Sequence, residues 1–538
     1  MPSSQTLGGT SRSGRVLGPS LDKIIKNVAW RKHAQLVASC KSAFDKLDSL
    51  SDSVADSSSD PHSPPSPLLG IPLSDAEFVL NPILLALESV YPKVVDPALE
   101  CLFKLFSLGL IRAEIDRSSD TTNDNPSPSI AFRLLDSVCK CSNLGDDAIE
   151  LSVLRVLLSA VRSSCLLIRG DFLAHIVRTC YNVYLSSASG TNQICAKSVL
   201  AQIVIIVFAR VEEDSMDVNV RTVSVSELLE LTDRNLSDGN SANFVQNFIY
   251  EVMEACEGTP YPKQLRPRLE NENGDVLDGK GQGDSGDKEL NDGFKSTSGN
   301  DQILLRGKVL SLELLKVVMD KGGSFWRTDD RFLGGVKQYL CLSLLKNSAV
   351  SVMTNFQLMC SIFTNLLLKY RSGLKSEIGI FYPMLVLRVL ENVLQPSFLQ
   401  KMTVLNLLDK ISQDSQLMVD IFVNYDCDVD SPNIFERTVN GLLKTALGLP
   451  PGSTTTLSPA QDITFRFESV KCLVSIIKSM GTWMDQQLRI GDSYPAKGFE
   501  NDSLADNQPA LNGGVIPDHE LNSETNSELS NAATLEQR

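Results

Sequence analysis

The feature that most constrains this chain is the recurrence, segment after segment, of apolar residues three and four apart. Leu151, Leu154, Leu158 and Val161 stand at i, i+3, i+7 and i+10, a spacing that gathers them on one stripe of an α-helix and would scatter them over both faces of a strand. Residues 172–185 and 194–210 continue in the same manner. Leu305, Val309, Leu312, Leu315 and Met319 form a further stripe, followed by the cleanest one, Met359, Ile362, Phe363, Leu366, Leu367 and Tyr370. Phe467, Val470, Val474, Ile477 and Met480 are expected to form the core-facing side of a closing helix. No segment alternates convincingly as a half-buried strand does. Each stripe must be buried against a neighbouring helix, so the expected fold is all-α, an armadillo- or HEAT-like helical superhelix, although no regular period of about 40 residues is visible.

Breaks in the pattern divide the chain. Residues 1–20 are polar and Gly-rich and are expected to be a disordered N-terminus. A first helical unit is expected over 21–257, with polar loops at 48–70 and 116–129. Within it, Tyr91-Pro92 and Asp96-Pro97 predict breaks into short helices, because proline suits a first helical turn. Residues 258–301 are rich in Gly, Asp, Glu, Asn and Lys, a composition that cannot bury enough apolar area to offset chain entropy, and predict a disordered acidic linker. A second helical unit is expected over 302–490 and a disordered tail or linker over 491–538.

Charge and cysteine usage narrow the function. Fifty Lys+Arg against 65 Asp+Glu give a net charge of -15, which repels a phosphate backbone and disfavours nucleic acid as a partner. Twelve cysteines dispersed over 538 residues read as reduced, buried thiols rather than a disulfide framework. The one close pair, Cys139 and Cys141, lacks the further ligands of a zinc site. The most apolar run, Val199 to Phe208, is about half the length needed to cross a bilayer, and no apolar leader opens the chain. The expectation is a soluble cytosolic protein. The helix expected from Leu21 places Lys23, Lys26, Arg31 and Lys32 among Leu21, Ile24, Ile25, Val28, Leu36 and Val37; such a basic amphipathic helix packs on its neighbours or docks on a membrane or partner.

Catalytic chemistry has little to work with. Of His33, His62, His175 and His519, two fall in polar segments and two stand alone. No phosphate-binding loop occurs, since Gly307-Lys308 lacks the upstream glycine, and neither H-E-x-x-H nor G-x-S-x-G is found. No catalytic residue, metal ligand or cofactor is assigned. The constellation that stands out is Asn424-Tyr425-Asp426-Cys427-Asp428, with Asp430, Ser431 and Pro432 following just ahead of an apolar helix. Asx side chains there can cap free N–H groups and complement the positive end of the helix dipole. A divalent-metal loop would want more oxygen ligands at fixed intervals and a turn glycine.

Asn424, Tyr425, Asp426, Cys427 and Asp428 also match all five positions of the N-[YF]-D-C-[DN] signature, and the region resembles the HUS (homology upstream) box of large ARF guanine-nucleotide exchange factors. Asn355-Phe356-Gln357-Leu358, Phe363 to Tyr370, Phe381-Tyr382-Pro383, Leu390-Glu391 and Phe435-Glu436-Arg437 flank it as that family would have them. The N-terminal part is similar to the dimerisation and cyclophilin-binding (DCB) domain of the same family through Leu154 to Val161, Val177-Arg178-Thr179-Cys180-Tyr181-Asn182, Asn192-Gln193 and Ala196-Lys197. The brefeldin-A-inhibited (BIG) type is the best match, with a plant source as one option.

The resemblance implies a regulatory scaffold in vesicle-mediated transport, non-catalytic by itself. The family's exchange activity belongs to a separate helical domain with an F-R-L-P-G-E loop. The nearest string here, Pro450-Pro451-Gly452, lacks its parts. The two helical domains are expected to pack on each other, with the HUS-box segment a structural element at their contact. The resemblance further implies self-association through the DCB-like domain, recruitment by small GTPases of the ARF or Rab type, and peripheral association with Golgi, trans-Golgi or endosomal membrane through those partners. Two other readings stand beside it: exchange activity supplied by a domain beyond this chain, and an unrelated armadillo-type adaptor for extended peptides.

Overall fold

Serine and aspartate side chains start many of the helices. A computed structural model of the chain describes residues 8–9, 11–28, 33–50, 66–115, 129–229, 239–257, 299–344, 352–393, 395–448 and 457–488. The polar loops, the acidic linker and the tail expected from composition lie largely or wholly outside these residues. Ser11, Ser129, Asp146, Ser189, Asp329, Ser397 and Asp414 each accept a hydrogen bond from a free N–H in the first turn that follows, and Ser397 forms a reciprocal capping box with Gln400.

The first half contains α1 (Arg12–Asn27), α2 (Ala34–Ser49), α3 (Leu73–Glu88), α4 (Pro92–Ser107), α5 (Ile130–Cys141), α6 (Asp147–Arg162), α7 (Gly170–Ser186), α8 (Gly190–Glu213), α9 (Val225–Leu229) and α10 (Gly239–Glu257). The second half contains α11 (Gly299–Lys321), α12 (Ser324–Thr328), α13 (Asp330–Gly335), α14 (Met353–Lys369), α15 (Lys375–Tyr382), α16 (Phe398–Ile411), α17 (Ser415–Ile421), α18 (Ile434–Leu447) and α19 (Pro459–Leu488). π-Helical turns occupy Val336–Cys341, Pro383–Leu387 and Phe422–Asp426. Packing runs from α1 to α4, α4 to α6, α6 to α8, α8 to α11, α11 to α14 and α14 to α16. The result is an all-α superhelix in which each helix buries its stripe on neighbours before and behind.

Two apolar cores result, and α11 serves both. Leu310 belongs to the core of the first half, whereas Val309, Leu312 and Met319 belong to that of the second. Residues up to Met484 accordingly form one compact unit, rather than two bodies that merely follow one another in sequence.

Several expectations are corrected. The N-terminus is helical from Arg12, not disordered to residue 20: α1 buries Ser13, Gly14, Leu17, Gly18 and Ser20, small residues that allow close approach but carry little hydropathy signal. Ser13 Oγ donates to the Leu69 carbonyl at 2.6 Å. The amphipathic face of this helix is spent internally, with Leu17, Leu21 and Ile24 fully buried, so it offers no apolar face to a membrane. Leu36 and Val37 lie on a second helix, α2. Pro92 starts α4 as expected, but Pro97 lies inside it. A proline leaves the carbonyl four residues earlier without its helical donor; here that carbonyl, Lys93 O, accepts from Asn27 Nδ2 at 2.8 Å. Two short strands, β1 (Ala113–Ile115) and β2 (Leu166–Ile168), pair in parallel; three residues are too few for alternation to be seen in sequence. The apolar run around Val199 extends into the 24-residue α8, with mean hydropathy 2.0 over its most apolar stretch. By length and composition α8 could cross a membrane, yet it packs against α6, α7, α10 and α11 and buries Lys197, Ser198 and Gln202, as a core helix does.

The closing helix is reversed relative to expectation. Phe465, Ser469, Cys472, Ile476 and Ser479 of α19 are buried, whereas Phe467, Val470, Val474 and Ile477 are exposed and Met480 is half-buried. The helix carries two apolar stripes, and periodicity alone does not say which one a neighbour covers.

Candidate functional site

Two arrangements bear on what the chain can do: the junction between its halves and the Asn424–Asp428 segment. The junction is built where α8 meets α11. Lys197, in the middle of the apolar α8, is 1% exposed on its side chain and reaches Glu313 Oε1 of α11 at 2.8 Å, with the glutamate 7% exposed. A charge removed from water this far costs several kcal/mol unless it is paired, and this contact offsets part of that cost for both residues. One turn away, Arg306 Nη2 donates to Gln193 Oε1 at 2.7 Å and to the Tyr184 carbonyl at 3.3 Å, with its guanidinium over the Tyr184 ring. Gly307 faces the Tyr181 hydroxyl so closely that a Cβ there would collide with it.

Further along, Glu212 of α8 caps α12, its Oε1 accepting from Ser324 Oγ at 3.0 Å and Phe325 N at 3.1 Å. Trp326 lies 4.3 Å from the Phe208 ring, centroid to centroid, and donates from Nε1 to the Phe208 carbonyl at 3.4 Å. Phe332 and Tyr370 extend this aromatic cluster into the second half. A groove of about 610 Å³ opens beside the junction. Glu212, Glu213, Glu227, Glu313 and Asp320 line it together with Arg221, Lys316 and Lys321, so both signs of charge are present.

The Asn424–Asp428 segment begins in the π-helical turn after α17, whose extra residue re-aims the side chains that follow. Asp426 lies across the start of α18: Oδ2 accepts from Phe435 N and Oδ1 from Glu436 N, both at 2.8 Å. Its carboxylate thus satisfies two of the N–H groups that a helix start leaves free. Tyr425 is buried and donates to the Lys375 carbonyl at 2.8 Å, and its ring lies over Gly379 of α15. Burial pushes the Tyr425 phenol up from its ordinary value. Asn424 Nδ2 donates back to Asp420 O at 2.8 Å. Asp428 accepts from Asp430 N, Ser431 Oγ and Lys375 Nζ, contacts that hold its carboxyl below the usual range, the Asp430 N–H most of all. Cys427 is exposed.

All of these bonds stay inside the second half. The segment ties α17, α18 and α15 together and is not where the two halves meet, which corrects the expectation of a contact between domains. The contact uses Gln193 and Lys197, quoted above only as part of a sequence resemblance, together with Arg306, Glu313 and Trp326, which the sequence reading missed. The available signal was a lone charge on an otherwise apolar helix face: Lys197 between Cys195 and Val199, and Glu313 between Leu312 and Leu314.

Burial pushes the thiols of Cys40, Cys101, Cys141, Cys360 and Cys472 up to about 12 and those of Cys139 and Cys341 to about 11. Cys139 and Cys141 are free and buried. Among the described residues no three His, Cys, Asp or Glu side chains gather as a metal-ligand group.

Comparison with known proteins agrees with this division of the chain. Residues 10–215 match the family profile described as Mon2/Sec7/BIG1-like, dimerisation and cyclophilin-binding domain. Residues 288–434 match that of the Mon2/Sec7/BIG1-like HUS domain; the match thus ends on α18 and includes Asn424–Asp428. The chain is similar to brefeldin A-inhibited guanine nucleotide-exchange protein 1 of Arabidopsis thaliana, 58% identical over 554 residues, covering 100% of this chain and 32% of that protein. Protein 4 of the same name and organism is 54% identical over 573 residues, covering 100% and 33%. Human brefeldin A-inhibited guanine nucleotide-exchange protein 1 is 26% identical over 655 residues, covering 92% and 35%. The chain therefore spans about a third of the length of these relatives. With both domains present in order on one superhelix, this chain belongs to the Mon2/Sec7/BIG1-like DCB–HUS family of the brefeldin A-inhibited exchange proteins.

Proposed function

We propose that this chain is the regulatory scaffold of an ARF guanine-nucleotide exchange factor in vesicle-mediated transport, and that it carries no exchange activity of its own. The observation that carries this reading is the shared helix α11. Two cores meet on it and a buried Lys197–Glu313 pair locks them together, so the DCB and HUS parts act as one rigid support rather than two tethered modules. The description of the DCB domain as a dimerisation domain supports self-association through the first half. In this reading activated small GTPases of the ARF or Rab type recruit the scaffold from the cytosol to Golgi, trans-Golgi or endosomal membrane. Asn424, Tyr425, Asp426 and Asp428 form a clamp that keeps the second half in shape.

The test pairs two assays. GDP release from an ARF protein should be no faster with this chain than without it, whereas sedimentation equilibrium should show self-association that survives deletion of residues 489–538. Accelerated release would make the chain an exchange enzyme; a strict monomer at all concentrations would remove the self-associating scaffold.

A further inference from the structure

The second half buries a lysine that no carboxylate neutralises by contact. Lys401 of α16 is 8% exposed, yet among the described residues its ammonium forms no ion pair and no hydrogen bond. Its nearest described company is the Phe465 ring, 5.2 Å from Nζ to the centroid. Burial lowers the pKa of this amine, and the field of Asp462 opposes that effect only in part. Asp462 is itself held by Arg466 at 2.7 Å. Buried charges are as a rule paired, so an unpaired one in a packed half calls for a ligand.

The space for that ligand is beside it. Lys401 lines a cavity of about 460 Å³, within the size range of small-molecule sites. The ionised side chains around it are Glu391, Lys401, Arg437, Lys444 and Asp462. Three of them are spent within the chain. Arg437 grips Glu391 through Nε and Nη2, both at 2.9 Å, and Asp462 holds Arg466. Two cations without a contacting counter-ion remain: Lys401, which is buried, and Lys444, which is exposed. The amides of Asn392, Gln395 and Asn440 line the same cavity, and Leu390, Leu457 and Phe465 make its apolar wall. Asn392 and Gln395 have φ of +60° and +48°, left-handed conformations that side chains adopt at a cost and that gather at ligand clamps. The guanidinium fork that would match a carboxylate at two points is already filled by Glu391. Ammonium groups act instead as point charges, and with amide donors they suit a group bearing several anionic oxygens. We infer that this cavity binds a small organic phosphate monoester, with Lys401 as its buried counter-ion, Lys444 at the surface, and the carbon part of the ligand against Leu390 and Phe465.

The probe is phenyl phosphate, compared with phenylacetate as the carboxylate and benzyl alcohol as the neutral counterpart. Isothermal titration calorimetry on the full chain should show one saturable site for phenyl phosphate, at least roughly tenfold weaker binding of phenylacetate, and none of benzyl alcohol. Lys401→Met should weaken phenyl phosphate by more than about tenfold and Lys444→Met by several-fold. Lys410→Met removes an exposed lysine of the same helix and should change nothing. The ligand-free Lys401→Met chain should melt no lower than the unaltered one, because it loses a buried charge that nothing offsets. Vesicles of phosphatidylcholine with phosphatidic acid, which carries the same phosphate monoester, separate the sources: competition assigns the group to a lipid, and its absence to a soluble molecule. The cavity binds a phosphate monoester in both cases. No saturable binding, equal affinity for phenyl phosphate and benzyl alcohol, or binding indifferent to Lys401→Met would overturn the inference. A lower melting midpoint of the ligand-free Lys401→Met chain would overturn it too, since the ammonium would then serve the fold.

Discussion

Removing the Lys197 amine should be the most damaging single change at the junction, and its size follows from burial. Lys197→Met removes the cation that stands 2.8 Å from the Glu313 carboxylate, which is itself 7% exposed. Breaking a buried pair from one side costs about 3–5 kcal/mol, because the remaining charge stays desolvated. With a urea dependence on the order of 3 kcal/mol per molar, the midpoint should fall by about 1 M or somewhat more. Lys197→Met combined with Glu313→Leu replaces both charges by apolar groups of similar length, and such swaps are neutral to stabilising. The double variant should therefore recover most of the loss, which no sum of independent effects would give. Urea titration followed by far-ultraviolet circular dichroism measures the midpoints. In a chain with Trp30 and Trp483 replaced by Phe, the fluorescence of Trp326, stacked on Phe208 across the junction, reports whether the halves part first. If the single variant costs under about 1 kcal/mol, or the double variant is worse than either single one, the pair is not what holds the desolvated charges in place.

Other expectations follow from the same geometry. Asp426→Ala frees two N–H groups at the start of α18 and should cost about 1–2 kcal/mol, read as a lower thermal midpoint, while Trp326 emission stays unchanged because the clamp is remote from the junction. Gly307→Ala should destabilise by about 1–3 kcal/mol through collision with Tyr181, and Tyr181→Phe in the same chain should restore part of it. Thiols such as Cys101 and Cys360, raised to about 12, ionise in the unfolded chain first. Their stabilisation is complete below about pH 8.5 and is lost as pH rises toward 12, at up to about 1.4 kcal/mol per pH unit for each thiol. Urea midpoints that stay level from pH 8 to pH 11 would contradict this. A thiol-reactive chromophore at pH 8 should label Cys427 quickly and the buried cysteines only on unfolding, so Cys427→Ser should remove most of the fast phase.

Helical periodicity made the fold class legible because each amphipathic stripe needs only local spacing to declare itself. The Met359–Tyr370 stripe reappears intact in the core. The acidic cluster ahead of α18 was likewise readable as a helix cap, since capping is a short-range matter of side-chain length and position. The first part of α1, before Leu21, escaped notice because small residues carry no apolar signal even where they pack most closely. Pro97 misled because the donor that satisfies the carbonyl behind it, on Asn27, comes from another helix.

What the amino-acid order determined by itself is the set of helices, their caps and the apolar stripes that must be covered. Only the tertiary structure decided which stripe meets which. It joined Lys197 to Glu313 across 116 residues, divided α11 between two cores, and turned the Ile463–Met484 face of α19 outward. The physical reason is that burial is non-directional. A stripe states that it needs a partner, and only the assembled surfaces, with their volumes and charges, determine which one it finds.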